Sequence, residues 1–138
     1  MAETRARPAR GMIDTSVVID LEDLNTQDLP AEIAISSLTL AELAAGPHAT
    51  DDPDERARRQ DRLQRTEAAF DPLPFDAEAA RSYGRIYAAV TAVGRKARGP
   101  RAVDLLIAAT AHASSLPLYT RNPDDFRGLE KLLEIVTI

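Results

Sequence analysis

The sequence predicts an α/β domain built on a mainly parallel sheet, and three observations lead there. Short apolar segments of strand length, Gly11-Met12-Ile13-Asp14, Ile33-Ala34-Ile35, Leu116 to Thr120 and Leu133 to Ile138, alternate with longer helical patterns. The first two strands run into paired hydroxyl residues, Thr15-Ser16 and Ser36-Ser37, which suit the capping of a following helix. The stretch Ala102 to Ala113 is apolar on nearly every side, as a helix buried against several neighbours must be. In such folds the sites lie beyond the carboxyl ends of the strands.

Taken in order, residues 1–11 are expected to form a flexible, polar and basic N-terminal arm, and residues 12–138 the single domain. After the first strand, Thr15 or Ser16 is expected to cap a helix from Val17 to Leu21. A polar connection, Glu22 to Pro30, leads to the second strand, and the next helix, Leu38 to Ala45, is expected to stop at Gly46-Pro47. Asp52-Pro53-Asp54-Glu55 combines a capping residue, a proline at the first helical position and an early acid, the start of a helix running to about Phe70. Arg58, Arg62 and Arg65 share one face of that helix. The segment Phe70 to Phe75 breaks the chain, and Asp76 caps a helix with Ala79, Tyr83, Ile86, Val90 and Val93 along one stripe. A basic loop bracketed by glycines, Gly94 to Arg101, leads into the apolar helix from Ala102. Beyond the third strand, Arg121 to Phe126 reads as a turn into a short helical piece.

A chain of 138 residues removes about 68% of its unfolded surface from water, enough for a real core without staples. The absence of cysteine excludes disulfides, thiolate zinc sites and cysteine nucleophiles. No apolar run is long enough to span a bilayer, and the N-terminal segment lacks the apolar core of a secretory signal, so no membrane association and a cytoplasmic location are expected. The formal charge of −5 argues against a nucleic-acid partner, but its distribution argues otherwise. Of 17 basic residues, five lie between Arg56 and Arg65 and six between Arg81 and Arg101, whereas the acids are spread along the chain.

Asp104 interrupts the most apolar helix, where an ionised carboxylate costs several kcal/mol unless a cation compensates it. Glu42 likewise sits among Leu38, Leu40, Ala41, Leu43, Ala44 and Ala45. Asp14 and Asp125 both lie just past expected strands. Brought together, four carboxylates repel one another, which is tolerable only around cations. Magnesium or manganese fits, since such hard ions take oxygen ligands, keep several waters and serve phosphodiester hydrolysis. Each acid also has an ordinary reading: Asp14 as a helix cap, Glu42 paired with an arginine, Asp104 paired with Arg101, and Asp125 as the cap of the Phe126 turn.

The order Ile-Asp14-Thr-Ser, Ser-Ser-Leu-Thr-Leu-Ala-Glu42-Leu, Asp104-Leu-Leu-Ile-Ala-Ala and Tyr-Thr-Arg-Asn122-Pro-Asp-Asp125-Phe resembles the VapC toxins of the PIN-domain ribonuclease family, from about Met12 to the end of the chain. The resemblance implies a PIN-like domain and a Mg2+ or Mn2+ dependent endoribonuclease toxin. It further implies cleavage of structured RNA of translation (tRNA or rRNA), inhibition by a cognate antitoxin seated in a groove of the early helices, and a homodimer. Carried over residue by residue, it places metal-binding and catalytic roles on Asp14, Glu42, Asp104 and Asp125, with Asp124 the rival for the fourth position. Thr15, Ser16, Thr120 and Asn122 match supporting hydrogen-bonding positions. RNA positioning falls to Arg95, Lys96, Arg98 and Arg101, which precede Asp104, and His48 and His112 are expected on the surface or in helix packing. The rival reading is a PIN-type RNA- or protein-binding module without catalysis. A phosphoacceptor receiver domain is disfavoured, because Asp14 stands alone after its strand and Lys131 is not at a strand end.

Overall fold

The computed structural model describes residues 9–138. Most of the expected arm, residues 1–8, lies outside the described residues, while Arg10 and Gly11 belong to the first strand, which pairs from Arg10 onward. Four strands, β1 (Arg10–Ile13), β2 (Glu32–Ala34), β3 (Leu118–Thr120) and β4 (Ile135–Thr137), form one sheet in the order β2-β1-β3-β4, parallel at every step. The chain leaves β1 toward β2 on one side and β3 toward β4 on the other. The carboxyl ends of β1 and β3 are therefore the point where the winding reverses, the place where an open parallel sheet leaves a crevice.

The two-residue period of the strands divides the core. Met12 and Leu118 point to one face and meet Ile86, Val90, Leu105 and Ala108 from α4 (Ala77–Ala92) and α5 (Ala102–Ala113). Ile13 and Tyr119 point to the other, joining Val17 and Val18 of α1 (Thr15–Ile19) and Leu43 of α2 (Ser37–Ala45). Helix α3 (Pro53–Ala69) contributes Leu63 to this second cluster. On α5, Leu105 and every residue from Ile107 to Ala111 are buried, which its unbroken apolar sequence requires.

Local chemistry sets the helix starts. Ser36 Oγ accepts from Leu38 N (2.9 Å), Asp52 from Asp54 N (3.1 Å) and Asp76 from Ala79 N (2.9 Å). At α1 the expectation is corrected: the cap is Asp14 rather than Thr15 or Ser16, and the helix starts two residues earlier than expected. Gly46 does not terminate α2 as a glycine stop. It keeps right-handed helical angles (φ −51°, ψ −49°) and the chain tightens into the 3-10 turn Gly46–Ala49. Arginines of α3 make this possible, Arg59 Nη1 donating to Gly46 O (2.9 Å) and Arg56 Nε to Pro47 O (3.1 Å), so the free carbonyls at the helix end are satisfied from outside. On α4 the buried stripe takes Ser82 and loses Val93, because the helix ends at Ala92. The Ser82 hydroxyl lies 2.9 Å from His112 Nδ1, which makes His112 a packing residue between α4 and α5, while His48 is exposed.

Gly11 marks the tightest approach to the sheet. A Cβ placed there would stand 2.6 Å from Cε1 of Tyr119, a ring that is itself buried, and 3.1 Å from Pro30. Gly11→Ala is expected to destabilise the fold by roughly 1–3 kcal/mol through overpacking, read as a fall in the thermal midpoint. Gly84→Ala, where the added carbon meets nothing within 4 Å, is expected to leave the midpoint unchanged or raise it.

Candidate active site

Asp14 stands where β1 hands over to α1. Its backbone continues the ladder, N–H donating to Tyr119 O (3.0 Å), and its side chain turns into the helix start, Oδ1 accepting from Val17 N (3.2 Å) and from Ser16 Oγ (2.5 Å). The Thr120 hydroxyl, at the end of β3, adds a further bond. Burial pushes the Asp14 carboxyl above the ordinary range, and these bonds work against the rise. Ser16 Oγ also accepts from Arg121 N (3.1 Å), and Thr120 Oγ1 from Asn122 N (2.9 Å). The carboxyl ends of β1 and β3 are thus sewn together around one carboxylate.

Glu42 comes from the opposite side, on α2. Its surroundings differ from the expectation, for the residue is exposed, and the inward face of α2 is carried by Thr39 and Leu43. The run of leucine and alanine conceals this, because several of those residues are themselves exposed. Thr15 Oγ1 donates to Glu42 Oε1 at 2.6 Å and makes a 3.1 Å bond with the hydroxyl of Thr39, so the supporting hydroxyl of Thr15 serves Glu42 while that of Ser16 serves Asp14. Thr39 is fully buried and went unnoticed in the sequence. Its signal was a hydroxyl one turn before Glu42 on an otherwise apolar helix.

Asp104 lies in the first turn of α5, half-buried. Its carboxyl is pushed up to about 7, by burial first and then by the charges of Asp125, Glu42 and Asp14, with Arg101 acting in the opposite direction. The ordinary reading of an Arg101 to Asp104 ion pair is not what is found: the Arg101 guanidinium stands 4.0 Å from Asp124 Oδ2 instead. The other three expected acids, Asp125, Glu42 and Asp14, therefore all bear on Asp104 at the crevice. Of the two neighbouring aspartates, Asp125 is the one whose charge bears on Asp104, and Asp124 is occupied by arginines. Asn122 contributes through its backbone, donating to Thr120 and accepting from Asp125 N (3.1 Å).

The donor set is entirely oxygen and strongly anionic, which fits a hard divalent cation. Among the described residues no three of these acids gather closely enough to hold an ion by themselves. Asp14 accepts from the hydroxyl of Ser16 and Glu42 from that of Thr15. The arrangement suits an ion with one or two direct carboxylates and a shell of water, the usual state of magnesium in proteins.

Residues 11–132 match the family described as PIN domain. The chain belongs to the PIN-domain family. It is 38% identical over 126 residues to Ribonuclease VapC5 of Mycobacterium tuberculosis, covering 89% of this chain and 90% of the relative. It is 37% identical over 102 residues to Ribonuclease VapC8 of the same species, covering 73% and 89%. The crystal structure of VapBC-5 from Mycobacterium tuberculosis, a member of the VapBC family of toxin–antitoxin systems, superposes with a TM-score of 0.83 at 37% identity, over 95% of this chain and 100% of that one. The expected PIN-like fold, a parallel sheet flanked by helices, is thus found.

Of the four basic residues assigned to RNA, Lys96 and Arg98 of this PIN domain are exposed, whereas Arg95 and Arg101 are partly buried against Asp124. Arg58 and Arg65 are paired with Glu55, Asp61 and Glu22.

A carboxyl raised from 3.8 to about 7 binds a proton more tightly in the folded chain than in the unfolded one, so its contribution to stability is lost as pH rises between those values. In chelator, Asp104→Asn is expected to raise the thermal midpoint at pH 8, and this gain is expected to shrink toward zero below about pH 4. A gain independent of pH across that window would show that the carboxylate is not under this pressure.

Proposed function

We propose that this protein is a metal-dependent endoribonuclease, the toxin of a VapBC-type pair, which cuts structured RNA of translation, tRNA or rRNA, in the cytoplasm. The observation that carries the reading is the half-buried carboxylate of Asp104 facing three further acids at the crevice between β1 and β3. A binding module without catalysis would have no use for that concentration of unneutralised charge. The match to proteins named ribonuclease VapC supports the same conclusion.

In this reading Asp104 and Asp125 hold Mg2+ or Mn2+ directly or through water, with Asp14 and Glu42 completing the cage. The ion supplies Lewis-acid stabilisation of the phosphodiester and lowers the pKa of a water. Ser16 and Thr120 fix Asp14, and Thr15 fixes Glu42, so both carboxylates present their remaining lone pairs in set directions. Asp104, whose carboxyl is raised to about 7, would be drawn to its ionised form by a bound cation. Lys96 and Arg98 meet the phosphates beside the cut.

The groove among α1, α2 and α3 is the proposed seat of the antitoxin. It is lined by Ile19, Glu42, Arg59 and Arg62, leads directly to Glu42 and carries the exposed side chain of Ile19. Among the described residues no helix is long and apolar enough to cross a membrane. The reading also includes a homodimer.

Purified protein incubated with total RNA is expected to cut only when Mg2+ or Mn2+ is present, and Asp104→Asn is expected to abolish cutting. Equal cleavage in chelator, or by the variant, would overturn the mechanism. Converting Lys96 and Arg98 to Gln is expected to weaken RNA binding and lower the salt slope by roughly 0.7–0.9 for each phosphate no longer neutralised, while the rise in thermal midpoint on adding Mg2+ stays intact.

A further inference from the structure

Asp124 immediately precedes a proposed ligand of the metal, yet its carboxylate is turned to cations. Oδ1 accepts from Arg127, and Oδ2 lies 3.4 Å from Arg95 Nη2 and 4.0 Å from Arg101 Nη2. Its carbonyl oxygen accepts a further bond from Arg95 Nη1 at 2.5 Å. Two of the three arginines come from the segment 94–101 between α4 and α5. The Arg95 side chain is only 14% exposed, so it is laid into the surface rather than offered to solvent. That segment contains two glycines with positive φ, Gly94 and Gly99, both at +76°, and within the segment Ala97 is buried. A loop with such freedom must be ordered by something before it can meet a polyanion without a large entropic cost.

Resting on the nuclease reading above, we propose that Asp124 is a positioning residue. Its carboxylate and carbonyl tether the basic loop 94–101 to the turn carrying Asp125, standing Arg101 beside Asp104 and leaving Lys96 and Arg98 free for the phosphates of RNA. Three arginines gathered on one aspartate leave the rim positively charged, so the tether orders the cations without cancelling them. The 3-10 turn Pro123–Phe126 is held at its other side by Phe126, which is buried. The tether therefore joins a glycine-bracketed loop to a turn anchored in the core.

The sign of one substitution separates this role from a simple field effect. Asp124→Asn removes one negative charge beside the RNA path, so electrostatics alone demands tighter binding. The tether demands weaker binding, by roughly three- to tenfold if the partly exposed ion pairs and the loop they order act together. Arg95→Lys keeps the charge and loses the two-pronged grip, and it is expected to weaken binding in the same direction. Both variants and the parent would be titrated with bulk transfer RNA in chelator, where no cutting occurs, and hydrogen exchange of the amides of residues 95–101 would be followed in the free protein.

The expected result is faster exchange in that segment together with weaker RNA binding for both variants, with unchanged thermal midpoints. When Mg2+ is restored, KM is expected to rise more than kcat falls. Unchanged exchange, or tighter binding by Asp124→Asn with Arg95→Lys silent, would overturn the tether. A parent protein that binds RNA and fails to cut it with metal would sink the nuclease reading and leave these measurements standing.

Discussion

The physical constraint beneath this structure is the cost of bringing like charges together in a partly dry crevice. Carboxylates from three other segments bear on Asp104 where β1 and β3 end, and burial first, then the charges of Asp125, Glu42 and Asp14, pushes its carboxyl toward neutrality. Without an opposing cation this arrangement weakens the fold, because ionising Asp104 means desolvating a charge beside like charges. The parallel sheet makes the gathering geometrically simple. Its winding reverses between β1 and β3, so both strands deliver their next residues to the same opening, while α2 and α5 supply an acid each from the flanks.

The acids are not treated alike, and the difference assigns their work. Asp14 is buried but receives bonds from Ser16, Thr120 and Val17, which favour its ionised form in a place where burial opposes it. Glu42 stands in solvent and is steadied by Thr15. Asp104 combines burial with three repulsions, against which the charge of Arg101 acts. The demand for positive charge is therefore concentrated at Asp104, and the other acids are held in fixed directions around it. The frame extends beyond the site. Helix α3 closes the end of α2 through Arg56 and Arg59, and the position of Glu42 on α2 depends on that support.

Most of this architecture could be read from the residues. The alternation of strand and helix, the caps at Ser36, Asp52 and Asp76 and the burial of the Ala102 to Ala113 helix follow from short-range chemistry, and all appear in the fold. The misreadings share a cause in contacts that are distant in sequence. Asp14 caps its own helix because the hydroxyl of Ser16 is drawn both to it and to the Arg121 amide 105 residues away. Gly46 continues the turn instead of ending it because arginines of the next helix reach its carbonyl. Glu42 looked buried because its neighbours are apolar, but an apolar helix with one covered face leaves alanines, and a glutamate, in solvent. Between Asp124 and Asp125 the resemblance favours Asp125, and the fold adds what no sequence pattern carries, that the arginines claim Asp124.

Net charge misleads for this chain, and the reason is spatial. A value of −5 suggests a surface hostile to RNA, yet four of the negative charges are in the crevice, where a divalent ion would offset them, and others are spent within helix α3. There Glu55 engages Arg58 and Arg59, while Asp61 engages Arg65. At the rim of the crevice Arg95, Arg101 and Arg127 gather on Asp124, and Lys96 and Arg98 stand exposed on the same loop as Arg95. A polyanion approaching that rim meets cations within a Debye length, about 8 Å at physiological salt, while the charges on the far side of the domain are screened. The field that such a polyanion would meet is the one local to this opening, and it is set by which arginines the aspartates have already taken.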